Sequence, residues 1–149
     1  MESAPHRVSE LARLAKDRDW LVSMRAMDLL EKLAHDHADW VQPHRKVFIG
    51  PLADSEKWEL RLQVVRALPL LAWTPRERAR VVEILRRDLE HPQKFVRAWA
   101  LDSLATMARS DRVLEPDVMR GLAAFERSSS RALKARARHI RERLGRGGA

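Results

Sequence analysis

Apolar residues recur at intervals of three and four along almost the whole chain, with little strict alternation, so the pattern predicts helices throughout. Breaks fall where turn and cap residues cluster, near 17–19, 35–39, 54–56, 110–111, 115–116 and 128–130. The best-marked start is Thr74-Pro75-Arg76-Glu77. Thr74 can cap, Pro75 sits where its missing N–H costs nothing, and Glu77 can reach back to Thr74, which makes a capping box. A helix over 75–90 should follow, burying Val81, Val82, Ile84, Leu85 and Leu89 and broken by His91-Pro92. The pattern predicts about eight helices with short connections. Pro51 and Pro69 should kink or end theirs. Trp20, Trp40, Trp58 and Trp73 stand at helix starts or ends and read as plugs of the core.

The helices repeat. Four segments align on one arginine: Met24-Arg25-Ala26, Leu60-Arg61-Leu62, Val96-Arg97-Ala98 and Ala135-Arg136-Ala137. The arginines are spaced 36, 36 and 39 residues apart. Positions −1, +1 and +4 from each are apolar, and Leu33, Leu68, Leu104 and Leu144 follow at +7 or +8. On a helix these positions make one stripe. Another amphipathic helix precedes each, so the unit is a helix pair. A single pair has too little area to bury its own stripe, and stacking joins the stripes into one core. The expected fold is all-α: a short right-handed α-solenoid of four two-helix repeats. It should form a single domain over 1–149, with repeats at roughly 5–36, 38–73, 74–109 and 113–145 and a tail at 146–149.

The apolar-Arg-x-x-Ala-x-x-x-Leu pattern on the second helix resembles the HEAT repeat. Val96-Arg97-Ala98-Trp99-Ala100-Leu101-Asp102-Ser103-Leu104-Ala105 is the clearest copy, and Ala135-Arg136 is a degenerate one. The resemblance covers nearly the whole chain and extends to small stand-alone bacterial HEAT-repeat proteins. It implies the architecture and carries almost nothing about activity. It also implies that Arg25, Arg61, Arg97 and Arg136 form a structural ladder, each paired with an acid of the preceding turn. Asp19, Asp54 and Glu90 stand ready for the first three, while only serines, 128–130, precede the last. The competing role for these arginines is ligand binding.

Composition narrows the chemistry. The 149 residues carry 29 Lys and Arg against 21 Asp and Glu, a net charge of +8. Without cysteine there is no disulfide framework, thiol nucleophile or cysteine zinc site. No basic-then-apolar leader opens the sequence, and no uncharged run approaches the ~20 residues of a membrane span. The expectation is a cytoplasmic protein. His35-Asp36-His37-Ala38-Asp39, with His44 nearby, could suggest a metal, yet no second cluster completes a ligand set, and a solvated turn explains it. No metal and no cofactor are expected. Neither a Gly-rich phosphate loop nor a nucleophile elbow is present.

Two surfaces remain. Second helices of such repeats usually line the concave face, and the positions away from the stripe supply Gln63, Arg66, Trp99, Asp102, Arg138 and Arg141 as candidate partner-binding residues. A Trp on a polar row is the kind of anchor interfaces favour, although Trp99 could instead fill the gap beside Ala98 and Ala100. The other surface is the C-terminal helix, where Arg131 to Arg146 hold seven cationic side chains against Glu142 alone. Arg131, Lys134, Arg138 and Arg141 are its candidate nucleic-acid contacts. A solvated capping helix, or a docking face for an acidic protein or membrane surface, reads as well from the same residues.

The leading expectation is a non-enzymatic scaffold binding an unidentified protein partner. A nucleic-acid-binding protein is the alternative, and self-association through exposed repeat ends is open. A remoter enzymatic idea comes from alkylpurine DNA glycosylases built of HEAT-like repeats. There Trp99 would stack and Asp102 would stabilise a developing cation, beside Arg138 and Arg141.

Overall fold

Residues 3–147 are described by a computed structural model. Eight α-helices account for most of the described residues: α1 (Ser3–Leu14), α2 (Trp20–Asp36), α3 (Ala38–Val41), α4 (Trp58–Ala67), α5 (Pro75–Asp88), α6 (Lys94–Ala108), α7 (Glu115–Glu126) and α8 (Arg131–Gly147). No strand occurs among the described residues. The chain packs as two compact units that divide within α5, one up to Ile84 and one from Leu85.

In the first unit α2 packs against α1, α3 and α4. Its core is Val8, Ala26, Met27, Leu30, Val41, Phe48, Val64, Val65 and Leu68. Asp19 caps α2 by accepting from the Leu21 amide at 3.0 Å. The second repeat departs from the expected long helix. α3 stops after four residues and 3-10 turns at Gln42–Phe48 and Pro51–Asp54 replace what would follow. Pro43 is the reason: it offers no amide, and its ring would strike the carbonyl four residues back. Pro69 closes α4 through the 3-10 turn Leu68–Leu70, as expected. The capping box at the start of α5 forms, with Thr74 N donating to Glu77 Oε1 at 3.0 Å and Glu77 N to Thr74 Oγ1 at 3.2 Å. Arg45 joins it, Nε to Oε1 at 2.9 Å, and this hydrogen bond holds the Glu77 carboxyl below the ordinary glutamate range. Of the five residues expected inside α5, Val81, Ile84 and Leu85 are buried, and Val82 and Leu89 only half-buried.

In the second unit α6, α7 and α8 pack on one another around Val96, Leu101, Leu104, Leu122, Ala137 and Ile140. Gly121 lets α7 approach α6 closely: a Cβ there would lie 2.5 Å from Leu101 Cδ1. Ser130 caps α8 by accepting from Leu133 N. α8 runs on through Arg146 to Gly147, past the expected start of a tail at 146; the last two residues lie outside the described part.

Second helices of successive repeats lie side by side within each unit, α2 with α4 and α6 with α8. That is the signature of stacked helix pairs. None of the four end-of-helix tryptophans is fully buried as a core plug: Trp20 is exposed under Lys57 Nζ, Trp40 stacks half-buried on His37, and Trp58 and Trp73 are half-buried, Trp73 Nε1 donating to Leu68 O at 2.8 Å.

Candidate functional site

In the first unit a groove of 530 Å³ runs between α2 and α4. Met24, Leu29, Trp58 and Leu62 give it an apolar wall, with Arg25, Gln63 and Arg66 among its polar lining. The wall exists because α2 is turned by about one position from the register the repeat implies. Its buried stripe is Ala26, Met27, Leu30, Glu31 and Ala34, so Leu29, at a +4 position expected inside, is 49% exposed. Glu31 is buried with that stripe. Its Oε1 lies 2.9 Å from Arg66 Nε and 3.0 Å from His35 Nε2. Arg66 is therefore engaged. Gln63 Oε1 is buried and has no hydrogen-bond partner among the described residues.

At Arg25, Arg97 and Arg136 the arginine ladder takes a different form from the one the resemblance implies. Arg61 donates to Ser55 O and Arg97 to His91 O, each to the carbonyl six residues back, and Arg97 also donates to Pro92 O. Arg97 thus turns to turn carbonyls, and Glu90 is not its partner. Arg25 sits on the rotated α2, exposed, with no such bond, and Asp19 is spent on the helix cap. Arg136 crosses to α6 and donates to Asp102 Oδ2 at 3.0 Å.

In the second unit Trp99, Asp102, Arg136 and Arg143 form one cluster. Asp102 is buried and takes Arg136 on one oxygen and Arg143 on the other, both at 3.0 Å. The Arg136 guanidinium lies 4.6 Å over the half-buried Trp99 ring. It is Arg136, then, that reaches Trp99. An open carboxylate beside a bare indole face, which the glycosylase idea needs, is not formed. Arg143, which the sequence marks only as one of the seven cations of this helix, faces α6 because it stands seven residues, about two helical turns, beyond Arg136.

The remaining cations of α8 divide. Arg141 pairs through Nε and Nη2 with Glu126 of α7. That hydrogen-bonded pair lowers the Glu126 carboxyl and raises the Arg141 guanidinium. Arg131, Lys134 and Arg138 stand exposed without a carboxylate partner among the described residues, spaced to share one helix face. The histidines near the first inter-repeat turn go separate ways: His35 to Glu31, His37 to Trp40, His44 to Ser9. Among the described residues no three metal-ligating side chains come together, and no helix is long and apolar enough to cross a membrane.

All-helical, with second helices stacked on one another, the chain has the fold of the helical-repeat solenoid proteins. Two solved structures are similar to it. An engineered protein from a structural-genomics consortium shares 20% identity at a TM-score of 0.69, over 90% of this chain and 60% of that one. A designed armadillo repeat protein in complex with the peptide (KR)4 shares 15% identity at a TM-score of 0.69, over 91% of this chain and 63% of that one. The chain thus spans about three fifths of the length of each. No protein-family model matches it, and no curated protein matches it in sequence.

Proposed function

We propose that the chain is a non-enzymatic protein-interaction module that holds an extended segment of a partner in the α2/α4 groove. The Gln63 amide carries the proposal. A buried acceptor left without a donor costs about 1–3 kcal/mol, and turning the Gln63 side chain into the groove, where a main-chain N–H of the segment meets it, removes that cost. Gln42 shows in the same unit what such an amide does with a peptide group. Its Nε2 donates to Ala72 O at 2.6 Å while its Oε1 accepts from Ala72 N at 2.9 Å. Beside Gln63, exposed Leu29 and the half-buried Met24 and Leu62 offer apolar contact for a side chain of the segment. Regular helices hold these groups, so little ordering entropy is lost on binding. The designed armadillo relative, which carries a bound peptide, supports the same use of the fold.

Peptides selected from a random display library on the intact protein test this. Gln63→Leu keeps the volume and removes the acceptor, and selected peptides should bind it about tenfold more weakly, the worth of one good hydrogen bond. Leu29→Glu should abolish binding. Peptides that bind both variants as they bind the parent would refute the groove.

The exposed face of Arg131, Lys134 and Arg138 supports a second reading, in which α8 contacts nucleic-acid phosphates.

A further inference from the structure

A second cavity, of 690 Å³, opens in the C-terminal unit where the end of α6, the start of α7 and the end of α8 converge. Its floor is aliphatic: Val118 is buried, Leu144 is half-buried, and Met119 is 42% exposed. No aromatic ring lines it among the described residues. Arg141 and Arg143 are also in the lining but are paired with Glu126 and Asp102. Arg109 and Arg112 are not spent. Both line the cavity, both are exposed, and neither side chain has a hydrogen bond or ion pair among the described residues. Glu115, also in the lining, is likewise exposed and unpaired.

The complement of that lining can be specified. Two free guanidinium forks call for a carboxylate or phosphate. The lone Glu115 carboxylate opposes a second negative charge and calls for an N–H donor. The floor calls for an aliphatic group without a flat ring. A fatty acid has no N–H, and a phosphate monoester carries close to two charges. The volume lies within the usual range for ligand sites and well above that of one amino acid. We infer that this cavity binds the free C-terminus of a peptide whose last residue is aliphatic. The α-carboxylate would meet Arg109 and Arg112, a backbone N–H would meet Glu115, and the terminal side chain would lie on Val118, Met119 and Leu144. This site is independent of the α2/α4 groove.

Fluorescence anisotropy on the full chain decides it, with a labelled hexapeptide ending in leucine as the probe, once as the free acid and once as the amide. The free acid should bind, and the amide about tenfold or more weakly, since a charge-assisted hydrogen bond is at stake. Arg109→Gln and Arg112→Gln should each weaken the free acid by a similar factor while helicity by circular dichroism stays unchanged, because both side chains are exposed and unpaired. Gln63→Leu should bind it as the parent does, which separates this site from the groove. Equal affinity for acid and amide would overturn the assignment. So would parental binding by the two arginine variants, or a peptide that does not bind at all. Displacement of the bound peptide by free leucine or decanoate at equal concentration would overturn the choice of a peptide terminus.

Discussion

Asp102 holds two guanidiniums on one buried carboxylate. Breaking a buried pair from one side typically costs about 3–5 kcal/mol, because a charge is left uncompensated. Here Arg136 and Arg143 are 29% and 38% exposed, so water recovers part of the loss. Asp102→Asn should therefore lower the unfolding free energy by about 1–3 kcal/mol in urea titration, and Arg143→Gln by less. The pairing could not be read from the sequence. Asp102 looks like a surface acid on its own helix, and its partners lie 34 and 41 residues away on another. Glu31 was hidden in the same way, since Arg66 belongs to the next repeat. Gln63 and Trp99 were legible as residues leaving the stripe, but only packing distinguishes an amide without a partner from an indole already covered by Arg136. Glu77 carries a pH prediction with a definite sign. Its folded pKa is depressed, chiefly by the Arg45 hydrogen bond. The stabilisation is complete above the ordinary glutamate value, about 4.3, and is lost as pH falls through the lower folded value. Urea midpoints should fall from about pH 5 toward pH 3 more steeply in the parent than in Glu77→Gln.

Helices whose ends carry chemical marks were the most legible elements. The Thr74-Glu77 box fixed the start of α5 because both of its hydrogen bonds are local, and Thr74→Ala should cost about 1 kcal/mol in thermal or urea unfolding. The period of the repeat was legible too, since it needs only apolar spacing. Register within α2 was not. A stripe one residue to either side satisfies the same spacing, and the choice is made by α1, α3 and α4 packing around Met27 and Leu30. α3 failed as a long helix for a reason the sequence does contain, Pro43, whose effect is strictly local. Gly121 shows the opposite dependence, because its value lies wholly in the approach of α6. Gly121→Val must push a methyl into fully buried Leu101, and overpacking of this kind costs about 1–3 kcal/mol. Combining it with Leu101→Ala should cost less than the two single changes added together, because they share one contact.

At the scale of the whole molecule, the net charge of +8 overstates what is available to a polyanion. Arg66, Arg136, Arg141 and Arg143 are tied to carboxylates, and Arg61 and Arg97 to carbonyls. On α8 the exposed face of Arg131, Lys134 and Arg138 remains. This gives the two functional readings different salt dependences. Each phosphate neutralised on duplex DNA adds about 0.9 to the slope of log affinity against log salt. If the α8 face binds duplex, reversing the three charges with Arg131→Glu, Lys134→Glu and Arg138→Glu should flatten that slope by about 2–3. Peptide binding in the α2/α4 groove rests on apolar contact and an amide, so its slope should be shallow and indifferent to the same triple variant. Anisotropy titrations of both ligands across a salt series would separate the outcomes. A duplex slope unchanged by the triple variant removes α8 as a nucleic-acid surface. A groove peptide whose affinity falls as steeply with salt as the duplex would show that charge, and not Gln63 and Leu29, holds it.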